Sequence, residues 1–200
     1  MMRISARLKG MGMGSLFLAL FGGLWMLAAL DASSWFWLVS CVLLPTSLLV
    51  VRAIGLLLAS GQARALEPPP GPDELARAER MNRRFALVFM VEFGLIAVAA
   101  NLLADSGRSD WIMIAIAAIV GVHFIPLAHI FDYGLYYWTG AVELAACALI
   151  ALFLRAHSVA GDMLLGLIMA LSLWITVVVV LAQGQRLAAA FKAAAPATPA

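Results

Sequence analysis

Four ionisable side chains interrupt stretches of the chain that are otherwise strongly apolar. They are Arg52, Glu92, His123 and Glu143. If these stretches cross a membrane, each charge is costly in the hydrocarbon, so such residues usually face the protein interior and mark a functional site. Carboxylates and a histidine change charge when a proton or cation binds, and the set is therefore suited to handling either.

The composition places the chain among polytopic membrane proteins. Of its 200 residues, 64% are hydrophobic and 12% are charged, and the mean hydropathy is +1.01. Soluble domains contain about 25% charged residues. Six stretches are long enough to cross ~30 Å of hydrocarbon; they are 13–30, 35–59, 84–104, 111–131, 134–154 and 162–184. The first stretch is too long for a signal-peptide core, so we expect an uncleaved multi-pass protein of the cell membrane, specifically a bacterial inner membrane.

The distribution of basic residues predicts the topology. With the N-terminus in the cytoplasm, Arg108 and Arg155 are on the outer side, which leaves 11 of the 13 Lys and Arg residues inside. This bias predicts that both termini are cytoplasmic. Short polar turns on the outer side divide the six helices into three hairpins. The expected fold class is an all-α integral membrane protein.

We expect one transmembrane domain over 1–192 and a disordered tail over 193–200. Between the second and third spans, we expect a cytoplasmic Pro-rich loop and a short helix within 61–83. Prolines at 68, 69, 70 and 72 exclude a helix there, because proline lacks the backbone N–H. Asp73 is then expected to cap a segment rich in helix formers.

The four ionisable residues are predicted to lie at a similar depth. Arg52 and His123 come late in spans that run inward, whereas Glu92 and Glu143 come about nine residues into spans that run outward. At ~1.5 Å per residue, all four then lie in the cytoplasmic half of the membrane. We therefore predict one water-accessible pocket that holds both carboxylates, with Arg52 or His123 as the counter-charge.

A polar stripe on the fifth span identifies Glu143 as the central residue. The stripe follows helical spacing and consists of Tyr136, Thr139, Gly140, Glu143 and Cys147. It leads from a predicted mouth formed by His129, Asp132 and Tyr133. The helix neighbours of Glu92 are apolar, so Glu92 is expected to be a structural partner.

Other spans carry related features. A second stripe on the sixth span contains Ser172, Thr176 and Gln183. Pro45 and Pro126 are expected to kink their helices and free a backbone carbonyl, which is best tolerated beside a cavity.

No sequence motif requires a cofactor. The chain has no HExxH, nucleophile elbow or Walker A loop. Glu92, His123 and Glu143 are only weak candidates for metal ligation. Cys41 and Cys147 are interpreted as apolar packing residues, and topology explains the basic residues without nucleic acid. The expected partners are membrane lipids, a small solute, cation or lipid ligand, and a second copy of the chain or another membrane subunit.

Three functions fit this pattern. The first is binding and transport of a small solute or cation through a cytoplasm-facing pocket. The second is a non-catalytic membrane subunit, sensor or scaffold in which the cluster is a structural network. The third is a membrane-embedded enzyme that acts on a lipid or lipophilic substrate, with the carboxylates and histidine as acid and base.

Overall fold

The computed structural model describes residues 3–30, 35–154 and 159–194, and every regular element in these ranges is helical. The α-helices are α1 (Ile4–Ala29), α2 (Trp35–Trp37), α3 (Leu44–Leu66), α4 (Pro72–Asp105), α5 (Ile112–Phe131), α6 (Leu135–Leu149) and α7 (Val159–Ala194). A π-helical turn, Leu38–Leu43, joins α2 to α3, and another, Ile150–Leu154, follows α6. A 3-10 turn, Ser109–Trp111, precedes α5. The predicted all-α class is confirmed.

Six of these helices are long and apolar enough to cross a membrane. They are Ile4–Ala29, Leu38–Leu66, Pro72–Asp105, Ser109–Phe131, Leu135–Phe153 and Gly161–Ala194. This supports the predicted multi-pass membrane protein. The hairpin pairing and the cytoplasmic position of the termini stay predictions. The predicted outer turns at 31–34 and 155–158, and residues 195–200 of the predicted tail, lie outside the described residues.

The Pro-rich interruption is short, and α4 begins directly after it. Pro72 occupies the first turn, where its missing N–H costs nothing. Glu74 accepts a hydrogen bond from the Gly71 N–H at 3.3 Å, so Gly71 is the N-cap and Asp73 lies in the first turn. Within 61–83, α3 therefore ends at Leu66 and α4 begins at Pro72. The helical segment expected there is continuous with the third span.

Pro45 lies at the start of α3, immediately after the π-helical turn. The helix continues through this point, because the Leu44 N–H donates to the Val39 carbonyl oxygen, and the wider π-helical turn lies where Pro45 cannot donate a backbone hydrogen bond. Pro126, in contrast, lies inside α5, where its missing N–H leaves a carbonyl of the preceding turn without its helical partner.

The helices divide into two compact units. The first contains α1 as far as Leu24, the second span down to Pro69, and α7 from Leu173 onward. Here α1 lies against α3, because a Cβ on Gly12 would come within 2.8 Å of Leu57.

Close packing also joins α1 to α7 in this unit. The Trp174 indole donates a hydrogen bond to the Ala19 carbonyl oxygen at 3.2 Å.

The N-terminus of the chain is tied to the end of α3 within the first unit. The Glu67 carboxylate accepts hydrogen bonds from the backbone N–H and the hydroxyl of Ser5, and Arg3 lies 3.0 Å from Glu67 Oε2. The Arg3 guanidinium also donates to the Pro68 carbonyl oxygen. We call these four residues the N-terminal latch.

The second unit contains the last turn of α1 from Trp25, helices α4 to α6, and α7 as far as Ser172. Helix α5 packs beside both α4 and α6. Gly166 of α7 approaches α1 so closely that a Cβ would lie 2.9 Å from the Trp25 carbonyl oxygen. This unit holds the candidate site.

Candidate intramembrane polar site

Two glycines bring α5 and α6 into close contact. A Cβ on Gly140 would lie only 2.5 Å from the Gly121 carbonyl oxygen, and a Cβ on Gly121 would lie 3.3 Å from Glu143 Cβ. Small residues allow membrane helices to approach at backbone distance. The crossing therefore fixes which face of α6 turns inward.

The inward face of α6 is the polar stripe. Tyr136, Thr139, Gly140, Glu143 and Cys147 are all buried, together with Ala146. Thr139 donates a hydrogen bond to the Leu135 carbonyl oxygen at 3.2 Å. The side chains on this face thus lie in the interior rather than toward lipid.

Glu143 is fully buried, with 0% of its surface exposed. Its Oε1 lies 2.9 Å from the hydroxyl of Ser172 on α7. Its Oε2 has no hydrogen-bond partner among the described residues. A buried carboxyl oxygen without a partner loses its hydration without compensation.

The Ser172 hydroxyl can bond Glu143 in either protonation state of the carboxyl. Its Oγ is also 2.9 Å from the Met169 carbonyl oxygen, and a hydroxyl has only one proton to donate. When that proton bonds the carbonyl, the contact with Glu143 is a hydrogen bond only if the carboxyl donates. The geometry therefore accommodates both protonation states of Glu143.

Glu92 of α4 and His123 of α5 form a second buried pair. His123 Nδ1 lies 3.1 Å from Glu92 Oε2, and each residue is 7% exposed. His123 Nδ1 has no aligned hydrogen-bond partner among the described residues, so this is a close polar contact rather than a hydrogen bond. The Phe89 ring covers the imidazole edge-on, with ring centroids 4.8 Å apart.

The two carboxylates belong to one neighbourhood. A Cβ on Gly121 of α5 would lie 3.3 Å from Glu143 Cβ, and His123, two residues further along α5, lies 3.1 Å from Glu92. Three ionisable residues on α4, α5 and α6, with Ser172, thus form what we call the buried cluster: Glu92, His123, Glu143 and Ser172.

Arg52 is not part of the buried cluster. It lies on α3 in the first unit, is exposed, and lines a cavity together with Gln185 and Lys192 of α7. Arg52 forms no ion pair with any residue in the ranges described.

The predicted mouth residues lie at the turn between α5 and α6. Exposed His129 accepts or donates a hydrogen bond with the Tyr137 hydroxyl, depending on its tautomer. Asp132 ends α5 with a left-handed backbone, φ 50°. Tyr133 packs edge-on against Tyr136 at 5.3 Å, and partial burial raises the pKa of Tyr133. The turn lies about 10 Å along α6 from Glu143.

Metal ligation is not supported by the side-chain positions. Over residues 3–30, 35–154 and 159–194, no group of three or more His, Cys, Asp or Glu side chains is arranged to hold an ion. Cys41 and Cys147 are both free thiols.

Sequence reasoning did not include Ser172 or Phe89 among the site residues. The signal for Ser172 was present, because it begins the polar stripe of the sixth span. Phe89 gave no signal, since a phenylalanine in an apolar helix is expected to face lipid.

Comparison with known proteins identified no relative: no family model, curated protein or solved structure matches the chain.

Proposed function

We propose that the protein transports a small solute or cation, and that Glu143 binds either the transported cation or a proton coupled to the transport. The observation that carries this proposal is the fully buried Glu143 carboxyl, which has one oxygen bonded to Ser172 and the other without a partner. A buried carboxylate oxygen of this kind is stabilised by a bound cation or a proton.

The surrounding residues support reversible binding. Ser172 can donate to Glu143 when the carboxyl is charged and accept from it when the carboxyl is protonated, so neither state leaves Oε1 unbonded. Glu92 and His123 provide a nearby buried pair of ionisable groups. Polar groups near Glu143 therefore lower the free-energy cost of changing its charge, compared with purely apolar surroundings.

The path to Glu143 in this proposal follows the α6 stripe. Thr139 and Tyr136 are one and two turns from Glu143 on the same buried face, and the predicted mouth of His129, Asp132 and Tyr133 lies beyond them. We place this mouth on the cytoplasmic side of the membrane, because the distribution of basic residues predicts that orientation.

The test is cation and proton flux in proteoliposomes. Purified full-length protein is reconstituted with an internal pH dye, and uptake is recorded under an imposed membrane potential with sodium, potassium or proton gradients. We expect flux above protein-free vesicles, and at least a tenfold loss in Glu143→Gln, which keeps the shape of the side chain but cannot titrate.

The matched control is Glu79→Gln, which removes an exposed carboxylate of α4 and should leave flux unchanged. Wild-type flux equal to that of protein-free vesicles would contradict the proposal. So would full flux in Glu143→Gln. A Glu143→Gln protein with a lower yield and unchanged flux would instead indicate that the buried cluster is a structural network of a non-catalytic subunit.

A further inference from the structure

A second polar feature lies in the first unit, between α3 and α7. It is a cavity of about 350 Å³ lined by residues of both helices, among them Arg52, Gln185 and Lys192. A smaller cavity of about 130 Å³ shares Ala59, Ala188 and Lys192 with it. We call the two together the basic groove.

Small residues make room for the groove. The larger cavity is lined by Gly55, Ala59, Ala188 and Ala189, none of which has a side chain long enough to fill it. Beside it the two helices touch, because a Cβ on Gly184 would lie 2.5 Å from Leu56 Cδ2. The groove is therefore a gap between helices already in contact, and not a general separation of them.

The charge of the groove is positive and uncompensated. No carboxylate lines either cavity, and neither Arg52 nor Lys192 forms an ion pair with any described residue. The neighbours of Arg52 on the same helix are apolar and exposed, with Val51 64% and Leu48 58% exposed. A guanidinium in such surroundings is stabilised by an anionic partner.

The depth of Arg52 fits a lipid phosphate. The apolar part of α3 ends at Ala59, before Ser60 and Gln62, so Arg52 lies seven residues, or about 10 Å, inside it. A long arginine side chain covers much of that distance by extending toward the interface. Lys192 and Gln185 contribute further donors from α7.

We propose that the basic groove binds the phosphate group of an anionic phospholipid. The Arg52 guanidinium and Lys192 ammonium contact the phosphate oxygens, Gln185 donates a further hydrogen bond, and an acyl chain lies along the apolar wall that includes Val51 and Leu56. A lipid is favoured over a soluble anion because the exposed residues beside Arg52 are themselves apolar.

The test is lipid binding by the full-length protein in neutral detergent, measured by native mass spectrometry. Phosphatidylglycerol is titrated against phosphatidylcholine, and we expect preferential retention of phosphatidylglycerol. Arg52→Gln and Lys192→Gln should each weaken that binding about fivefold, the loss expected for one basic residue near an anionic headgroup.

Arg64→Gln is the matched control, since Arg64 is an exposed arginine of α3 outside the groove lining. Equal binding of the two lipids, unchanged binding in both groove variants, or an equal loss in Arg64→Gln would overturn the proposal. A further arm adds inorganic phosphate or glycerol phosphate. Displacement of the lipid by either at millimolar concentration would show a soluble-anion site instead. None of these outcomes depends on transport through the buried cluster.

Discussion

At the scale of single residues, the contact between Glu92 and His123 gives a direct test of the buried cluster. Each is buried and the other is its nearest ionisable neighbour, so losing one leaves the other without compensation. We expect Glu92→Ala and His123→Ala each to lower the thermal midpoint in detergent. The double variant should lose less than the sum of the two, with an interaction free energy of about 0.5–3 kcal/mol.

The control for this cycle is Glu79→Ala, an exposed carboxylate on the same helix as Glu92. It should leave the thermal midpoint unchanged and should be additive with His123→Ala. Strict additivity of Glu92→Ala and His123→Ala would show that the 3.1 Å contact contributes no stabilisation.

The same residues show how far sequence reasoning extends. Helical spacing assigns Tyr136, Thr139 and Glu143 to one face of their helix, because that periodicity is a property of the backbone. Spacing cannot specify which neighbouring helix that face meets. The contact of Glu143 with Ser172 and that of His123 with Phe89 depend on the rotation of each helix about its axis, which long-range packing decides.

At the scale of helices, the crossing of α5 and α6 is set by Gly140 and Gly121. Gly140→Ala places a Cβ 2.5 Å from a backbone oxygen, so the helices must separate. We expect a loss of about 1–3 kcal/mol of stability, seen as a lower thermal midpoint in detergent.

Gly94→Ala is the control for that substitution, because a Cβ at Gly94 meets nothing within 4 Å. In the interior of α4 this change should stabilise the protein by up to about 1 kcal/mol, since alanine is the better helix former. Equal thermal midpoints for Gly140→Ala and the wild type would show that the two helices are not held at backbone contact.

The N-terminal latch gives a pH dependence. Partial burial raises the pKa of Glu67, but the Ser5 hydrogen bonds and the Arg3 charge outweigh it, so this pKa lies below its ordinary value of 4.5. A carboxyl whose pKa is lowered by folding adds stability above its unfolded pKa and loses that stability as the pH falls through the folded value.

We therefore expect Glu67→Ala to increase hydrogen exchange at the start of α1 at pH 7, where Ser5 N–H donates to Oε1 at 3.1 Å. The difference from the wild type should shrink below pH 4.5, after correction for intrinsic exchange rates. Glu74→Ala is the control, because the Glu74 carboxylate accepts its hydrogen bond from the Gly71 N–H at the start of α4. A difference that stays constant from pH 7 to pH 3 would contradict a role for the ionised latch.

Helix lengths were harder to predict than helix positions. Apolar composition marks the part of a helix that lies in hydrocarbon, but the backbone continues wherever the following residues form helix well. The arginine-rich and glutamate-rich segment before the third span therefore extends α4 back to Pro72. Pro45 predicted a disturbance of its helix, but the form of that disturbance, a π-helical turn over Leu38–Leu43, had no signal in composition or periodicity.

At the scale of the whole molecule, the exposed surface is that of a protein surrounded by lipid. Helix α4 has Glu92 as its buried residue, while Met90, Leu87 and Phe93 are 72%, 59% and 55% exposed. A water-soluble chain would not leave so continuous an apolar surface uncovered. Glu92, His123 and Glu143 of the second unit are instead turned inward, which is the arrangement expected in a bilayer.

The predicted topology places both termini and the Pro-rich loop in the cytoplasm. Eleven of the 13 basic residues then lie inside, because Arg108 and Arg155 are the two on the outer side. A reporter that fluoresces only when it folds in the cytoplasm should therefore be bright when fused after Ala194 or inserted at Pro70. The same reporter inserted at Gly107, in the turn after α4, should be dark. A dark fusion at Ala194 together with a bright insertion at Pro70 would mean an odd number of crossings between these two points. A bright insertion at Gly107 with a dark one at Pro70 would reverse the orientation and place the predicted mouth of the transport path on the opposite side.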